Sequence, residues 1–374
     1  MRRKIFRSLL GLSALLVTPL LSAEGKVTVG GQVSPAVAYI NDGKDEEGNS
    51  HRRWFIVDNT HSGTRLSVQY SNQVSEDMTL GANFLFGIRA QDLGNVTPDA
   101  PVWTSGAAND DLNGWFRMRA AEGTFSSQKM GKVSAGWGSN PSYGISDHGV
   151  GQTNMVSDIW AATNAEGFSF RYDNATKNTG TTVNTAFGYK DAGRGTRVRY
   201  DSPTFGGAKL SVAFLHAGGQ DYAFNFSKDF SGVSFTAGLG YFVDRTFGEA
   251  HDDSINGQIS FNHKATGFNL GFAAGKKDDL VEGTDNPTYT FTKLGKVTAN
   301  RFGSLAITGD YWLGKHYAQN DSTSTSYAFA VAQSMKGWNT EFHAAYQNMT
   351  LEGTGTVDNL LPISSVLVGT RIKF

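Results

Sequence analysis

The sequence predicts an all-β chain that closes into a transmembrane antiparallel β-barrel of about 16 strands. Three observations predict it. Apolar and polar residues alternate through segment after segment. The links between segments are short and long by turns. No stretch of the mature chain holds the ~20 consecutive apolar residues that a spanning helix needs.

Residues 1–23 read as a secretory signal peptide. Arg2, Arg3, Lys4 and Arg7 precede an apolar run of about a dozen residues, and the small Ala23 stands before Glu24. That run is too short to span a bilayer. Export is therefore expected, with residues 24–374 forming one barrel domain. Without the leader, 29 Lys and Arg face 34 Asp and Glu, a net charge near −5, and no basic block suggests nucleic acid. Cysteine is absent, so disulfides contribute nothing. Glycine, at 45 of 374 residues, is well above the usual share of about 7%.

The strands follow in order. "KVTVGGQVSPAVAYI" sets Val27, Val29, Val33, Val37 and Tyr39 against Lys26, Thr28, Gln32 and Ser34. "TRLSVQYSN" and "TLGANFLFGIR" repeat the scheme, as do "VSFTAGLGYFV", "SINGQISFN", "GFNLGFAAG", "SYAFAVAQ" and "WNTEFHAAYQN". The last, "SSVLVGTRIKF", alternates up to Phe374. Strand starts fall near residues 26, 64, 79, 115, 131, 195, 208, 220, 232, 253, 267, 287, 302, 323, 337 and 363. The short links include "QVSED", "SSQKMG", "SPTFGG", "KDFSG", "HKATG" and "SMKG". The long ones include "NDGKDEEGNSHRR", residues 91–113, residues 139–193, "GKKDDLVEGTDN" and "LEGTGTVDNLLP". Two links break the rule: the one near Gly218 is short on the long side, and "KLGKVTAN" is long on the short side.

A soluble barrel or sandwich also alternates. Here, however, the apolar face is rich in Phe and Tyr near strand ends, while the opposite face is polar or Gly and Ala, too small for a packed core. Sixteen strands leave a lumen wide enough for water. Unpaired backbone in lipid costs several kcal/mol per group, so the last strand is expected to pair with the first.

Specific motifs add a resemblance. Phe374 after alternating apolar residues is similar to the C-terminal signature of outer-membrane proteins. "RVRYDSPTFGGAKLSVAF" resembles the "RYDSPSFGG" strand–turn–strand passage of the Gram-negative general, non-specific porin family. "FSSQKMGKVSAGWGSN" and "VDNTHSGTRLSV" resemble two further stretches of that family, with Thr64 where Ser is usual. The resemblance implies an outer-membrane homotrimer in a Gram-negative bacterium. It also implies delivery by the outer-membrane assembly machinery, with Phe374 as the signal. The implied function is passive diffusion of small hydrophilic solutes and ions, with no cofactor.

In that family the third long loop folds into the lumen and sets acidic groups against a basic wall. By position this is the segment 139–193, which supplies Asp147, His148, Asp158 and Glu166. Alternation puts Arg65, Arg117, Arg119, Arg197, Arg199 and Arg371 on polar strand faces. Arginine facing mid-membrane lipid costs about 2–4 kcal/mol, so these side chains are expected to face water. Carboxylates near the path favour cations, while the arginines oppose them; a weak cation preference is expected. No nucleophile elbow, zinc-protease motif or phosphate loop occurs, so no catalytic or metal residue is assigned. The alternatives are a substrate-selective porin for sugar or phosphate, and a surface adhesin or barrel enzyme.

Overall fold

The computed structural model describes residues 25–44, 50–88, 91, 93–97, 116–147, 150–172, 178–188, 191–244, 253–278, 283–353 and 360–374. The expected signal peptide and His148 lie outside the described residues. The first strands are β1 (Lys26–Val33), β2 (Pro35–Lys44), β3 (Ser50–Asp58), β4 (Arg65–Gln73), β5 (Met78–Ile88), β6 (Phe116–Ser127) and β7 (Gly131–Ser139). A small hairpin, β8 (Ser169–Arg171) and β9 (Asn178–Thr182), precedes a one-turn helix, Val183–Phe187. The wall resumes with β10 (Arg194–Asp201), β11 (Ala208–Leu215), β12 (Gln220–Phe230), β13 (Val233–Val243), β14 (Ser254–His263) and β15 (Phe268–Lys277). It ends with β16 (Thr288–Asn300), β17 (Gly303–Lys315), β18 (Thr323–Met335), β19 (Thr340–Glu352) and β20 (Ile363–Lys373).

These strands make a closed antiparallel barrel of sixteen, because two of its staves are each built from two pieces. β1 and β2 are one strand broken at Ser34. β3 and β4 are its partner, with Pro35 opposite Asp58 and Gln32 opposite Arg65. Residues 59–64 bulge out of that second stave. Gln32 Nε2 holds the bulge by donating to the Ser62 and Gly63 carbonyls at 2.7 and 3.0 Å. The second strand thus starts at Ser50, not near residue 64, and takes in the end of the stretch "NDGKDEEGNSHRR" expected to be loop.

Closure occurs where the termini predict it. β20 pairs with both β1 and β2, from Gln32 opposite Lys373 to Asn41 opposite Ser364. Phe374 carries the ladder to its last residue, exchanging 2.9 and 3.1 Å bonds with Gly31. Backbone left open here would face lipid unpaired, which is the physical reason for the seam.

Turns and loops segregate to opposite rims. The short link after β12 is the pair Ser231–Gly232, both at positive φ (42° and 90°), as a two-residue hairpin requires. "KLGKVTAN" is not a long link: β16 runs through it to Asn300 and the turn is only Arg301–Phe302. The short long-side link at residues 216–219 does exist.

The outer face is an apolar band of exposed side chains such as Leu239, Ile255, Leu294, Ile307 and Phe329, the last 63% exposed. On this surface the exposure is what lipid contact requires. The inner face differs from expectation on one side. Tyr289 and Phe291 of β16 and Trp312 of β17 point inward and are buried. They lie in one apolar core with Ile40, Phe55, Phe168, Phe170 and Phe187. The Phe187 and Trp312 ring centroids are 5.0 Å apart, and those of Phe55 and Phe168 are 5.8 Å apart. Each such ring contributes roughly 1.5–3 kcal/mol on burial. The segment between β7 and β10 therefore packs as a small domain against one inner wall.

Candidate functional site

The segment after β7 is pinned to the inner wall at successive strands. Ser142 N donates to Asp221 of β12 at 2.8 Å, and Tyr289 OH of β16 donates to Ser146 Oγ at 2.9 Å. Thr153 and Thr308 of β17 share a 2.8 Å hydroxyl bond. Gln347 Nε2 of β19 donates to the Ala161 carbonyl at 2.9 Å. Arg171 Nε donates to Asp42 of β2 at 2.8 Å, anchoring the β8 hairpin. These partners alternate with the lipid-facing side chains, so the segment is attached from within.

The bulge at residues 59–64 latches it from the other side. Asn59 Nδ2 donates to the Met155 carbonyl at 2.5 Å. His61 lies 3.0 Å from Asp158 through Nδ1 and 3.1 Å from Asn164 through Nε2. Asn59 also meets His343 of β19 at 3.0 Å.

At the base of the segment, Asp191 accepts bonds from the Gly144 and Gly193 N–H groups at 2.6 and 2.8 Å. Burial nevertheless raises its carboxyl from 3.8 to about 6, outweighing those two bonds.

Two adjoining cavities remain open beside the segment, of about 670 and about 430 Å³. Arg119 and Arg194 line both. The larger adds Arg65, Arg197, Arg199, Lys132 and Lys209, with Glu122 and Asp201. The smaller adds Arg117, with Asp158 and Glu166. Among the described residues, eight basic and four acidic side chains thus line the pair of cavities.

The expected residues divide into three groups. Arg65, Arg117 and Arg119 do line open space. Arg65 donates to the Gly63 carbonyl and to Ser62 Oγ, each at 3.2 Å. Between β5 and β6 the register slips at Leu85/Phe86, where Arg119 is the residue passed over. Arg197, Arg199 and Arg371 carry wall carboxylates: Glu122 at 2.5 Å, Asp201 at 2.7 Å, and Glu341 at 2.5 Å from Arg371 Nε. Glu166 lines the smaller cavity. Asp147 and Asp158 are largely engaged in holding the segment. Asp147 accepts from Asn154, and Asp158 accepts from Trp160 N at 2.9 Å besides meeting His61.

Sequence reasoning missed Lys293, Arg194, Lys132 and Lys209. Lys293 is buried on β16, where its Nζ donates to the Ser157 carbonyl at 2.6 Å among Asp310, Asp158 and Asp147. Burying an ammonium requires such partners. Lys132 and Lys209 were readable, since each adjoins an exposed apolar residue, Val133 and Leu210, in its strand. Arg194 sits at the loop–strand junction, where alternation gives no direction; its guanidinium lies 4.2 Å from the Tyr143 ring centroid.

No curated protein matches the chain. The family described as Gram-negative porin matches residues 11–354. Among solved structures, the chain is similar to the anion-selective porin from Comamonas acidovorans (TM-score 0.61, 15% identity, 94% of this chain and 100% of that one). It is similar to the trimer form of OmpT, an outer-membrane protein of Vibrio cholerae (TM-score 0.56, 12% identity, 94% and 99%). It is also similar to Salmonella typhi OmpF in complex with daunomycin (TM-score 0.57, 12% identity, 94% and 98%). With a closed sixteen-stranded barrel, an apolar outer band and a charged inner path, the chain belongs to the Gram-negative porin family, as an outer-membrane channel for passive diffusion.

Proposed function

We propose that solutes pass along the arginine wall of β4, β6 and β10, and that the channel prefers small hydrophilic anions. One observation carries this: the eight-to-four excess, among the described residues, of basic over acidic side chains around the two open cavities. The apolar core fills the other side of the lumen, which supports an off-centre path.

The sign follows from distance. Charges lining a narrow path act directly on the ion, whereas surface charge farther than about 8–10 Å is screened at 0.1–0.15 M salt. The lining therefore outweighs the negative net charge of the mature chain. Arg197 and Arg199 are offset by Glu122 and Asp201. Among the described residues, Arg65, Arg117, Arg194, Lys132 and Lys209 have no ion-paired carboxylate. This reading is opposite to the weak cation preference that Asp147 and Asp158 suggested, because those carboxylates serve the loop. The Comamonas protein named anion-selective is consistent with it.

The working unit in this reading is a homotrimer, supported by the trimeric form named for the Vibrio relative. Residues 1–23 act as a leader, Phe374 as the assembly signal, and passage involves no catalytic step.

Ion replacement in single-channel recordings tests the proposal. Exchanging chloride for gluconate is expected to lower conductance more than exchanging potassium for tetraethylammonium. The reverse order would overturn it.

A further inference from the structure

The structure assigns a divalent-metal site to the long-loop rim, formed by Asp285, His316 and Asp321 and suited to zinc or a similar first-row ion. It concerns the rim and not the passage, so it stands apart from the channel reading. The three residues come from two loops: Asp285 from the link between β15 and β16, His316 and Asp321 from the link between β17 and β18. One ligand atom from each lies within 4.8 Å of the other two.

The spacing is that of ligands and not of a tight hydrogen-bonded pair. His316 Nδ1 and Asp285 Oδ2 are 3.5 Å apart. Metal–ligand bonds of about 2.0–2.2 Å at the tetrahedral angle put neighbouring donor atoms about 3.3–3.6 Å apart. Nδ1 is an unprotonated acceptor: it takes the Asp321 N–H at 3.1 Å, a contact a metal would replace.

The two loops are held together before any ion arrives. Asn320 Nδ2 donates to the Gly283 carbonyl at 2.7 Å, and Asp285 N donates to Asn320 Oδ1 at 2.9 Å. His316 N donates to the Ser322 carbonyl at 2.8 Å, which turns residues 316 and 321 toward each other. Little loop ordering is then left to be charged against binding.

Donor chemistry selects the ion. Two carboxylates neutralise a divalent charge, and an imidazole favours zinc, nickel or copper over calcium or magnesium. Three protein donors with Asp285 54% exposed leave room for water in the remaining position. Binding at this rim would tie the β15–β16 loop to the β17–β18 loop by a bond stronger than the Asn320 clamp.

Calorimetric titration of the purified full-length protein with zinc chloride at neutral pH tests the site. His316→Asn and Asp285→Asn are the variants; Asn tolerates the positive φ of 62° at position 316. The expected result is one zinc per chain at micromolar affinity, weakened at least tenfold in each variant, with magnesium and calcium binding more weakly. Unchanged heat stability of the metal-free variants shows that folding is intact. Absence of zinc binding in the unaltered protein, equal affinity in the variants, or calcium binding as tight as zinc would each overturn the assignment.

Discussion

His61 Nδ1 lies 3.0 Å from Asp158 Oδ2, with the two side chains only 1% and 3% exposed. The contact joins the bulge of the second stave to the segment between β7 and β10. Each side chain also holds the segment by a hydrogen bond of its own, His61 Nε2 with Asn164 at 3.1 Å and Asp158 from Trp160 N at 2.9 Å, and losing such a buried partner costs about 1–3 kcal/mol. His61→Ala and Asp158→Ala are each expected to lower the thermal unfolding midpoint in detergent and to raise open-channel current noise. Because both remove one latch, the double variant should lose little more than either single one. Additive losses would show that the two side chains act separately.

Lys293 is the second anchor. Its Nζ donates to the Ser157 carbonyl, and Asp310 is its foremost countercharge. Lys293→Met removes the donor to the buried Ser157 carbonyl and the cation opposite Asp310 in the β16–β17 ladder, and is expected to destabilise by about 1–3 kcal/mol. Lys293→Met combined with Asp310→Leu should recover most of the loss, as measured by denaturation of the detergent-solubilised protein. A double variant as unstable as the single one would contradict this pairing.

Sequence patterning reached the barrel but not its filling. Period-two alternation located the sixteen staves because lipid outside and water inside impose opposite demands on successive residues. It failed at residues 59–64, where bonds to Gln32 and Met155 replace the ladder. It failed again in "TYTFTK", where the aromatic face, Tyr289 and Phe291, turns inward and the threonines turn out. Alternation records two faces without saying which solvent each meets. The arginines on β4, β6 and β10 were legible as inward-facing charge. Their excess was not, because Lys132, Lys209 and Arg194 come from three separate places and Asp158 is withdrawn by His61, a long-range partner.

Asp191 gives the fold a pH dependence of defined sign. Burial raises its carboxyl to about 6 in the folded chain, against 3.8 when unfolded, so the folded form holds the proton more tightly. Its stabilising contribution is fully present below about pH 4 and is lost as pH rises through about 6. Amide-exchange protection of the Gly144 and Gly193 N–H groups is expected to fall over that range and to flatten in Asp191→Asn. Protection that increases from pH 4 to 7 in the unaltered protein would contradict the shift.

Phe187 packs against Trp312 in the apolar core, with ring centroids 5.0 Å apart. Phe187→Ala is expected to cost about 3–5 kcal/mol. The loosened packing should admit larger neutral sugars, seen as faster swelling of liposomes carrying the variant. Swelling rates equal to those of the unaltered protein would mean that this core does not limit the path.

In the proposed reading the arginine wall sets the sign of ion selectivity. The zero-current potential of the reconstituted channel across a potassium chloride gradient measures that sign directly. The expected potential has the chloride-preferring sign in the unaltered protein and shifts toward zero in Arg65→Ala combined with Arg194→Ala. Asp147→Asn is predicted to leave the potential where it was. A potassium-preferring potential in the unaltered channel, or one that the double arginine variant does not move, would overturn the role of the arginine wall.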